Sequence, residues 1–288
     1  MRIRVFFTSL FVGLTVTGTA SAQEPSRGQK FTADPVADTG VILLGLTFGV
    51  LSSQMLSTGE IRPQQIAPDF QTSQLLAIDR GAVTQTVDHS SSTRSNIALY
   101  SAAAFALADS IADIWREGKT AALVDAIMYA EAAAITQGVT NLAKIAFRRP
   151  RPIAYIERNE FIARGGDPNV YNNAETDSSL SFFSAHTSAV ASLSSAATYI
   201  AFVRSGARSP RPWITMGAGL ALTTFVAYER VRGGSHFPTD VLCGALAGTA
   251  VGALVVHLHR EDSVKQRPVW IGVTPSYDGG LLTASGLF

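Results

Sequence analysis

The chain has 288 residues, of which 47% are hydrophobic and 16% are charged, so it can bury the core of one large domain or two small ones. A formal net charge of +1 gives no support for nucleic acid as a partner. The single cysteine, Cys243, excludes an internal disulfide and a zinc site built from cysteines.

The first 22 residues have the features of a secretory signal peptide. Arg2 and Arg4 precede a mostly apolar stretch, and Ala20-Ser21-Ala22 supplies the small residues of a cleavage position. An uncleaved anchor helix is the alternative, but the short apolar stretch favours removal. We therefore expect the chain to be exported, and removal leaves 21 of the 23 basic residues against 22 acidic ones.

The organisation of the mature chain follows from its apolar stretches and from the residues that start and stop helices. Residues 23–92 are predicted to form an N-terminal segment with one helix and an irregular linker. Residues 93–262 are predicted to form a helical core, and residues 263–288 a tail. Capping residues, prolines and glycines bound six predicted helices. These cover residues 39–58, 92–115, 120–147, 184–203, 212–230 and 238–259.

Two non-helical regions complete this prediction. Residues 159–181 are polar and contain the turn sequence Gly165-Gly166-Asp167-Pro168, which indicates a long surface loop. In the tail, two short apolar and threonine-containing segments flank Asp278-Gly279-Gly280, a pattern typical of a hairpin. The sequence therefore predicts an all-α six-helix bundle with a small C-terminal β-hairpin packed on it.

Basic, hydroxyl and imidazole groups concentrate where the third and fifth helices end and where the fourth and sixth begin. In an antiparallel bundle with short connections these four ends lie on the same side. Positive charge at that density is favourable only with a bound anion, and the fourth helix adds the free N–H groups of its N-terminus. The sequence therefore predicts a site for a tetrahedral oxyanion, either phosphate or vanadate. Its candidate residues are Lys144, Arg148, Arg149, Arg151, Ser184, His186, Arg230, Arg232, His236 and Asp240.

These candidate residues fall in three stretches of the chain, which together resemble the signature of the type 2 phosphatidic acid phosphatase and vanadium-dependent haloperoxidase superfamily. That signature is Lys-x6-Arg-Pro, then Pro-Ser-Gly-His, then Ser-Arg-x5-His-x3-Asp. The first part is matched in full by Lys144, Arg151 and Pro152. Spacing, order and helix placement agree over roughly residues 94–260. The resemblance implies the helical bundle of the acid phosphatase and vanadium haloperoxidase type.

The chain departs from the signature at three positions. Phe183 and Ala185 stand for the proline and glycine of the second part, and Glu229 stands for the serine of the third. The methyl group of Ala185 is expected to widen the anion cradle slightly, and it would be strained if the backbone there had a positive φ. Glu229 is expected to hold or partly neutralise Arg230. None of these changes removes a group that does chemistry.

The resemblance also implies a role for each matching residue. His236 would be the nucleophile that forms a phosphohistidine, and Asp240 would orient it and stabilise its charge. His186 would protonate the leaving oxygen and then activate water. The groups expected to hold the phosphoryl oxygens are Lys144, Arg151, Arg230, Ser184 and the backbone N–H of Ala185. Two histidines with an ordinary pKa of about 6.5 suit this chemistry without a metal or another cofactor.

We therefore expect an exported, metal-independent phosphatase whose partner is a small molecule or a lipid carrying a phosphomonoester or diphosphate. Two alternatives stay open. One is a vanadium-dependent haloperoxidase, in which vanadate is the cofactor rather than an inhibitor, although 288 residues is short for that group. The other is a non-catalytic helical protein that binds an anion.

Other polar residues favour structural interpretations. His257 and His259 lie at a helix C-terminus, where solvated cations suit the helix dipole. His89 lies in a polar loop, and Asp109 and Asp113 share a helix face that could bind a cation. Arg148 and Arg149 are expected either to recruit substrate or to face solvent.

The apolar helices raise the question of a membrane. The first, fourth, fifth and sixth predicted helices have nearly uncharged runs whose length is borderline for spanning a bilayer. These runs are rich in alanine, glycine, serine and threonine. Acidic residues in the second and third helices, including Asp125 and Glu131, are costly in lipid. With an exported N-terminus and six spans, the site would face the cytoplasm, whereas membrane members of this family are expected to face outward. We therefore expect a soluble periplasmic bundle. The alternative is an integral membrane protein whose first helix does not cross and whose site faces outward.

Overall fold

The computed structural model describes residues 30–58, 61–173, 180–261, 269–276 and 279–286. The predicted signal peptide at residues 1–22 and the predicted turn residue Asp278 lie outside these ranges. The described residues contain seven α-helices, two short 3₁₀ helices and one pair of strands. The helices are α1 (Pro35–Ser57), α2 (Ser90–Arg116), α3 (Lys119–Phe147), α4 (Pro152–Ala163), α5 (Ala185–Ser205), α6 (Pro210–Arg232) and α7 (Pro238–His259). The 3₁₀ helices are Thr72–Gln74 and Arg80–Val83, and the strands are β1 (Val269–Ser276) and β2 (Gly279–Gly286).

The all-α class is confirmed, and each of the six predicted helices is present with its ends moved by a few residues. The two strands pair antiparallel, with Val269 opposite Gly286 and Ser276 opposite Gly279, as the hairpin pattern predicts. The prediction was wrong for α4, whose last residues we assigned to a surface loop. Pro152 ends no helix there but occupies the first turn of a new one, where its missing N–H costs nothing.

The directions of the helices decide which ends meet. Gly45 of α1 lies against Ala134 of α3, and Asn141 of α3 donates hydrogen bonds to Ser52 Oγ (2.7 Å) and to the Gly49 carbonyl oxygen (3.2 Å). These contacts advance along both helices together, so α1 and α3 run in the same direction. The helices α1, α3 and α6 therefore end at the side of the bundle where α2, α5 and α7 begin.

Helix α5 occupies the centre of the bundle and makes an unusually close contact with α7. A Cβ atom on Gly248 would lie 2.0 Å from the Ser188 carbonyl oxygen, and one on Gly252 would lie 2.1 Å from that of Ser192. Real side chains never approach this closely, so only glycine permits this spacing of the two backbones. The close contact sets the beginnings of α5 and α7 side by side.

The interior of the bundle is built from small and medium apolar side chains around α5. Met128, Val190, Ile200, Val226 and Val256 are all fully buried, and alanines fill the narrow spaces between the helices. Close packing of this kind fixes the relative positions of the helices. The arrangement of the helix ends is therefore set by the core and not by the loops.

Many apolar side chains face outward. Helices α1, α2 and α7 are long and apolar enough to cross a membrane by length and composition. Leu44 is 73% exposed, Leu107 62% and Leu246 65%. Helices α1 and α7 agree with our expectation, whereas α5 and α6 do not meet this criterion. Helix α2 was missed because Asp109 and Asp113 lie near its end, beyond most of its apolar residues.

Candidate active site

The ends of α3 and α6 and the beginnings of α2, α4, α5 and α7 meet at one side of the bundle. The Ser184 N–H, immediately before α5, donates to the Asp240 carbonyl oxygen in the first turn of α7 (3.2 Å). The His236 N–H donates to the Arg230 carbonyl oxygen in the last turn of α6 (3.2 Å). The first of these bonds joins the second and third signature stretches, and the second bond lies within the third stretch.

His236 is 1% exposed and held in one orientation. Its Nδ1 lies 2.7 Å from the carbonyl oxygen of Ser181, so Nδ1 carries the hydrogen and donates it. The lone pair is therefore on Nε2. We expected Asp240 to orient this ring, but the nearest oxygen of Asp240 lies 3.9 Å from Nδ1, beyond hydrogen-bonding distance. A backbone carbonyl group performs the orientation instead.

Asp240 acts on this arrangement indirectly. Its Oδ2 accepts hydrogen bonds from the hydroxyl group of Ser181 and from the Phe237 N–H (2.8 Å). Its Oδ1 accepts from the guanidinium group of Arg149 (2.6 Å). Asp240 therefore fixes the segment whose carbonyl group holds His236, and its charge stays close enough to stabilise a positively charged imidazole.

Arg149 neither recruits substrate nor faces solvent. Its guanidinium group also donates to Asp79 Oδ2 (2.8 Å) and Thr239 Oγ1 (2.8 Å), and lies 3.8 Å from the centre of the Phe237 ring. Asp79 is fully buried and accepts from the Thr239 N–H (3.0 Å). The pair of Arg149 and Asp79 therefore supports the beginning of α7 from the side away from substrate.

His186 lies in the first turn of α5 and meets a residue that the sequence did not single out. Its Nε2 is 2.7 Å from Oδ1 of Asn96 on α2, so Nε2–H donates and Nδ1 holds the lone pair. Asn96 is thereby a positioning residue for the second histidine. Asn96, Ser181 and Asp79 belong to no motif in the chain, and only the packing of α2 and of the two loops brings them here.

Three cations surround the two histidines and raise the local potential. Burial lowers the pKa of His186 to about 4, with further lowering by Arg230, Lys144 and Arg151. Burial and the same cations lower the pKa of His236 well below its ordinary value. Burial, Arg151 and Arg230 lower the pKa of Lys144 to about 8. Both imidazoles are therefore neutral near pH 7 in the ligand-free protein.

The beginning of α5 combines a cap with groups suited to an anion. Ser184 Oγ accepts from the N–H (3.4 Å) and the hydroxyl group (3.0 Å) of Thr187, which caps the helix. The first N–H groups of a helix, here including that of Ala185, have no partner within it and favour an anion. Among non-glycine residues that the structure describes, only Arg148 has a positive φ (47°), so Ala185 is unstrained.

Glu229 does not neutralise its neighbour Arg230. Its carboxylate accepts from Arg94 of α2 (2.8 Å), which also pairs with Asp88 (2.7 Å). Arg230 instead lies beside Ser95, with its Nη1 3.4 Å from the hydroxyl oxygen. Glu229 therefore attaches α6 to the beginning of α2, and the positive charge of Arg230 remains directed to the site.

A polar cleft of about 160 Å³ opens between the beginnings of α2 and α4 and the end of α6. His89, which we expected to lie in a loop without a partner, is at the edge of this cleft with two of the predicted anion-binding arginines. The lining residues are Val87, Asp88, His89, Ser92, Arg151, Ile153, Arg230, Gly233, Gly234 and Ser235. The cleft is an entrance through which a charged group can reach the site.

Comparison with known proteins agrees with this geometry. The model of the PAP2 superfamily matches residues 125–263, a range that holds all eight predicted site residues. No curated protein and no solved structure matches the chain. The match to the family model identifies residues 125–263 as a region of the PAP2 superfamily, the superfamily of type 2 phosphatidic acid phosphatases.

Proposed function

We propose that this protein is a phosphatase that hydrolyses phosphomonoesters or diphosphates through a phosphohistidine at His236. Membership of the PAP2 superfamily supports a phosphatase in general. The observation that carries the finer proposal is the neutral, buried imidazole of His236. Its Nδ1–H is bound by the Ser181 carbonyl group, which leaves the lone pair of Nε2 for attack beside three cations.

In the first step, Lys144, Arg151 and Arg230 bind the phosphoryl oxygens and stabilise the charge that develops on them. Nε2 of His236 forms a bond to phosphorus while the bond from phosphorus to the leaving oxygen breaks. His186 donates a proton to that oxygen. A bound phosphate dianion offsets the positive potential of the site, so it raises the pKa of His186 and allows the ring to carry this proton.

In the second step, His186 has lost its proton and accepts one from a water molecule. The resulting hydroxide attacks phosphorus, the bond from phosphorus to Nε2 breaks, and inorganic phosphate leaves. The positive charge that His236 carries in the intermediate is stabilised by Asp240, 3.9 Å from Nδ1. Neither step uses a metal ion.

The test is hydrolysis of p-nitrophenyl phosphate at pH 6 to 7 with EDTA present, with and without vanadate. We expect EDTA-resistant turnover that vanadate inhibits, because vanadate resembles the pentacoordinate transition state. His236→Ala is expected to lower kcat by a factor of about 10³ or more. His257→Ala, a histidine at the opposite end of the bundle, is the matched control and should leave kcat unchanged. Turnover that requires a divalent metal and ignores vanadate, or an active His236→Ala variant, would refute the mechanism.

An apolar groove supports a lipid-linked substrate. It has a volume of about 120 Å³, and it lies on the side of the bundle between α2, α5 and α6. Its lining is almost entirely apolar or small: Ala102, Phe105, Leu193, Ser194, Ala197, Thr215, Ala218, Gly219 and Leu222. Such a groove can bind a hydrocarbon chain.

The position of the groove relative to the site fits a phosphate attached to an apolar tail. Leu222 and Arg230 are eight residues apart on α6, a distance of about 12 Å along the helix axis. The cleft and the groove also both border α2, at Ser92 and Ala102 respectively. A lipid with its phosphate at Arg230 would extend its tail towards the groove.

The groove can be tested by filling it. Ala218→Trp should raise KM for a long-chain lipid phosphate about tenfold and leave KM for p-nitrophenyl phosphate unchanged. Leu220→Trp, two residues away and outside the groove lining, is the control. Equal KM values for long-chain and short-chain substrates in the wild type, together with no effect of Ala218→Trp, would leave a soluble phosphate ester as the substrate.

The exposed apolar faces of α1, α2 and α7 support association with a membrane, and we propose that the membrane-associated protein is also exported. Here we favour membrane association over the soluble form expected from the sequence. Cell fractionation should place the protein with membranes, and intact cells should hydrolyse a substrate that does not cross membranes. Recovery in the soluble periplasmic fraction would restore the original expectation. Activity that appears only after lysis would place the site in the cytoplasm.

A further inference from the structure

A second cluster of metal-ligating groups lies far from the active site. It consists of Asp38 in the first turn of α1, Glu131 in α3 and His259 at the end of α7. One ligand atom from each residue lies within 4.8 Å of the other two. Glu131 precedes Lys144 by 13 residues of the same helix, which corresponds to about 20 Å. The cluster therefore takes no part in phosphoryl transfer.

The ring of His259 presents a lone pair to the two carboxylates. Its Nδ1 lies 2.8 Å from the carbonyl oxygen of Val255, so Nδ1–H donates and Nε2 is left as the ligand atom. Nε2 is buried and has no hydrogen-bond partner, and the residue is only 7% exposed. We expected His259 to be a solvated cation at a helix C-terminus, but the structure buries it and directs it at Asp38 and Glu131.

The spacing around Nε2 suits a metal ion better than a direct hydrogen bond. Nε2 is 3.3 Å from Asp38 Oδ2 and 3.4 Å from Glu131 Oε2. A charge-assisted hydrogen bond would shorten such a distance to about 2.8 Å. Ligand atoms about 2.1 Å from a tetrahedral ion lie about 3.4 Å from one another.

Hydrogen bonds with neighbouring backbone groups orient two of the three ligand groups, as in established metal sites. Asp38 Oδ2 accepts a hydrogen bond from the Asp34 N–H (2.7 Å), and the Val255 carbonyl group fixes the His259 ring. Hydrogen bonds of this kind orient metal ligands and set the tautomer of a ligating histidine. Asp38 and His259 are therefore positioned before any ion arrives.

We propose that Asp38, Glu131 and His259 bind one divalent transition-metal ion of the Zn²⁺ type, which attaches α1 to α3 and α7. One imidazole nitrogen and two carboxylate oxygens suit Zn²⁺, with water as the fourth ligand. The ion would connect α1 to α7 as well as to α3, against which Gly45 and Ser52 of α1 already pack. The ion has a structural role, so its loss loosens α1 and leaves the active-site groups in place.

The experiment uses the full chain, purified with a tag that contains no histidine, dialysed against EDTA and then titrated with ZnCl₂. We expect one Zn²⁺ per chain by elemental analysis. At about 100 times the dissociation constant, Zn²⁺ should raise the Tm by about 5 °C or more. Glu131→Gln and Asp38→Asn should abolish this shift and weaken binding at least tenfold. His257→Gln, in the same last turn of α7, is the matched control and should bind as the wild type does.

A measurement on the wild type keeps the proposal testable if a variant fails to fold. Co²⁺ added to the metal-free protein should produce the visible absorption of a tetrahedral ion, and equimolar Zn²⁺ should remove it. Substoichiometric Zn²⁺ with no change in Tm, or a folded Glu131→Gln variant with unchanged affinity, would overturn the proposal. The cluster would then be a hydrogen-bonded group that shares protons among its three side chains.

Discussion

Arginines are concentrated at both ends of the helical bundle, but the groups that they contact differ between the two ends. At the end where α5 terminates, Arg204 lies 3.1 Å from Asp125 and 3.5 Å from Asp113, and Arg211 lies 2.9 Å from Asp109. At the active-site end, Lys144, Arg151 and Arg230 act together on the two histidines and lower the pKa of both. At the first end arginines and carboxylates form a network of ion pairs, and at the second the cations act on two imidazoles.

This difference separates stability from function. Removing one member of a buried ion pair leaves a charge in the protein interior without its counterion, which strongly destabilises the folded state. Removing one of the active-site cations removes a group that, in the proposed mechanism, binds the phosphoryl oxygens. Matched substitutions at the two ends should therefore have opposite consequences.

The largest expected effect is on catalysis, at the active-site end. Arg230→Met should lower kcat/KM for p-nitrophenyl phosphate by a factor of about 10³, because a cation is lost from the transition state. Arg230 also lowers the pKa of Lys144 by repulsion, so the variant should have a higher pKa at Lys144. The control is Arg232→Met on the exposed side of the same turn, which should leave kcat/KM nearly unchanged. An unchanged kcat/KM for Arg230→Met would contradict the comparison.

At the opposite end, the expected effect is on stability. The Arg204 side chain is 3% exposed, and its substitution by methionine leaves the carboxylates of Asp125 and Asp113 buried without this partner. The free energy of unfolding should fall by about 3 kcal/mol or more, measured by denaturant titration. The kcat of the folded fraction should match the wild type. A loss of kcat without a loss of stability would show that the two ends are coupled.

A smaller effect is expected at Asn96, which orients His186. Asn96→Ala removes the acceptor 2.7 Å from Nε2, so the ring can rotate away from the leaving oxygen. We expect kcat to fall about tenfold, with KM little changed, because binding of the phosphoryl oxygens depends on the cations. Ser101→Ala, on an exposed face of the same helix, serves as control. If Asn96→Ala instead raised KM alone, Asn96 would contact substrate rather than position His186.

The smallest effect concerns the pH dependence of kcat/KM. The pKa of Lys144 is lowered to about 8, and the ammonium form that binds the phosphoryl oxygens exists below that value. As pH rises through 8 the charge is lost, so kcat/KM should fall about fivefold between pH 8 and pH 9.

Lys144→Arg should remove this decline, because a guanidinium group stays protonated throughout the range. Lys119→Arg at the beginning of α3 provides the control and should keep the wild-type profile. An alkaline decline that persists in Lys144→Arg would assign it to another group.

Much of this architecture could be predicted from local sequence. Helices of more than 20 residues bounded by Ser184, Pro238 or Gly233 are specified by apolar stretches and end residues, and their positions were wrong by only a few residues. Helix α4 was missed because a proline both ends and begins helices, and the sequence around Pro152 allows either. The three linked stretches located the site because their spacing depends on helix ends, which the sequence specifies.

The amino-acid sequence by itself determined the helices, the family and the groups that would meet an oxyanion. Tertiary structure alone decided which partner fixes each of them. The carbonyl group of Ser181 replaces Asp240 at the ring of His236, and Asn96 orients His186. Tertiary structure also brought Asp38, Glu131 and His259 together from helices far apart in the chain. Such contacts depend on how closely packed helices set their relative heights and rotations, and no local pattern in the chain carries that information.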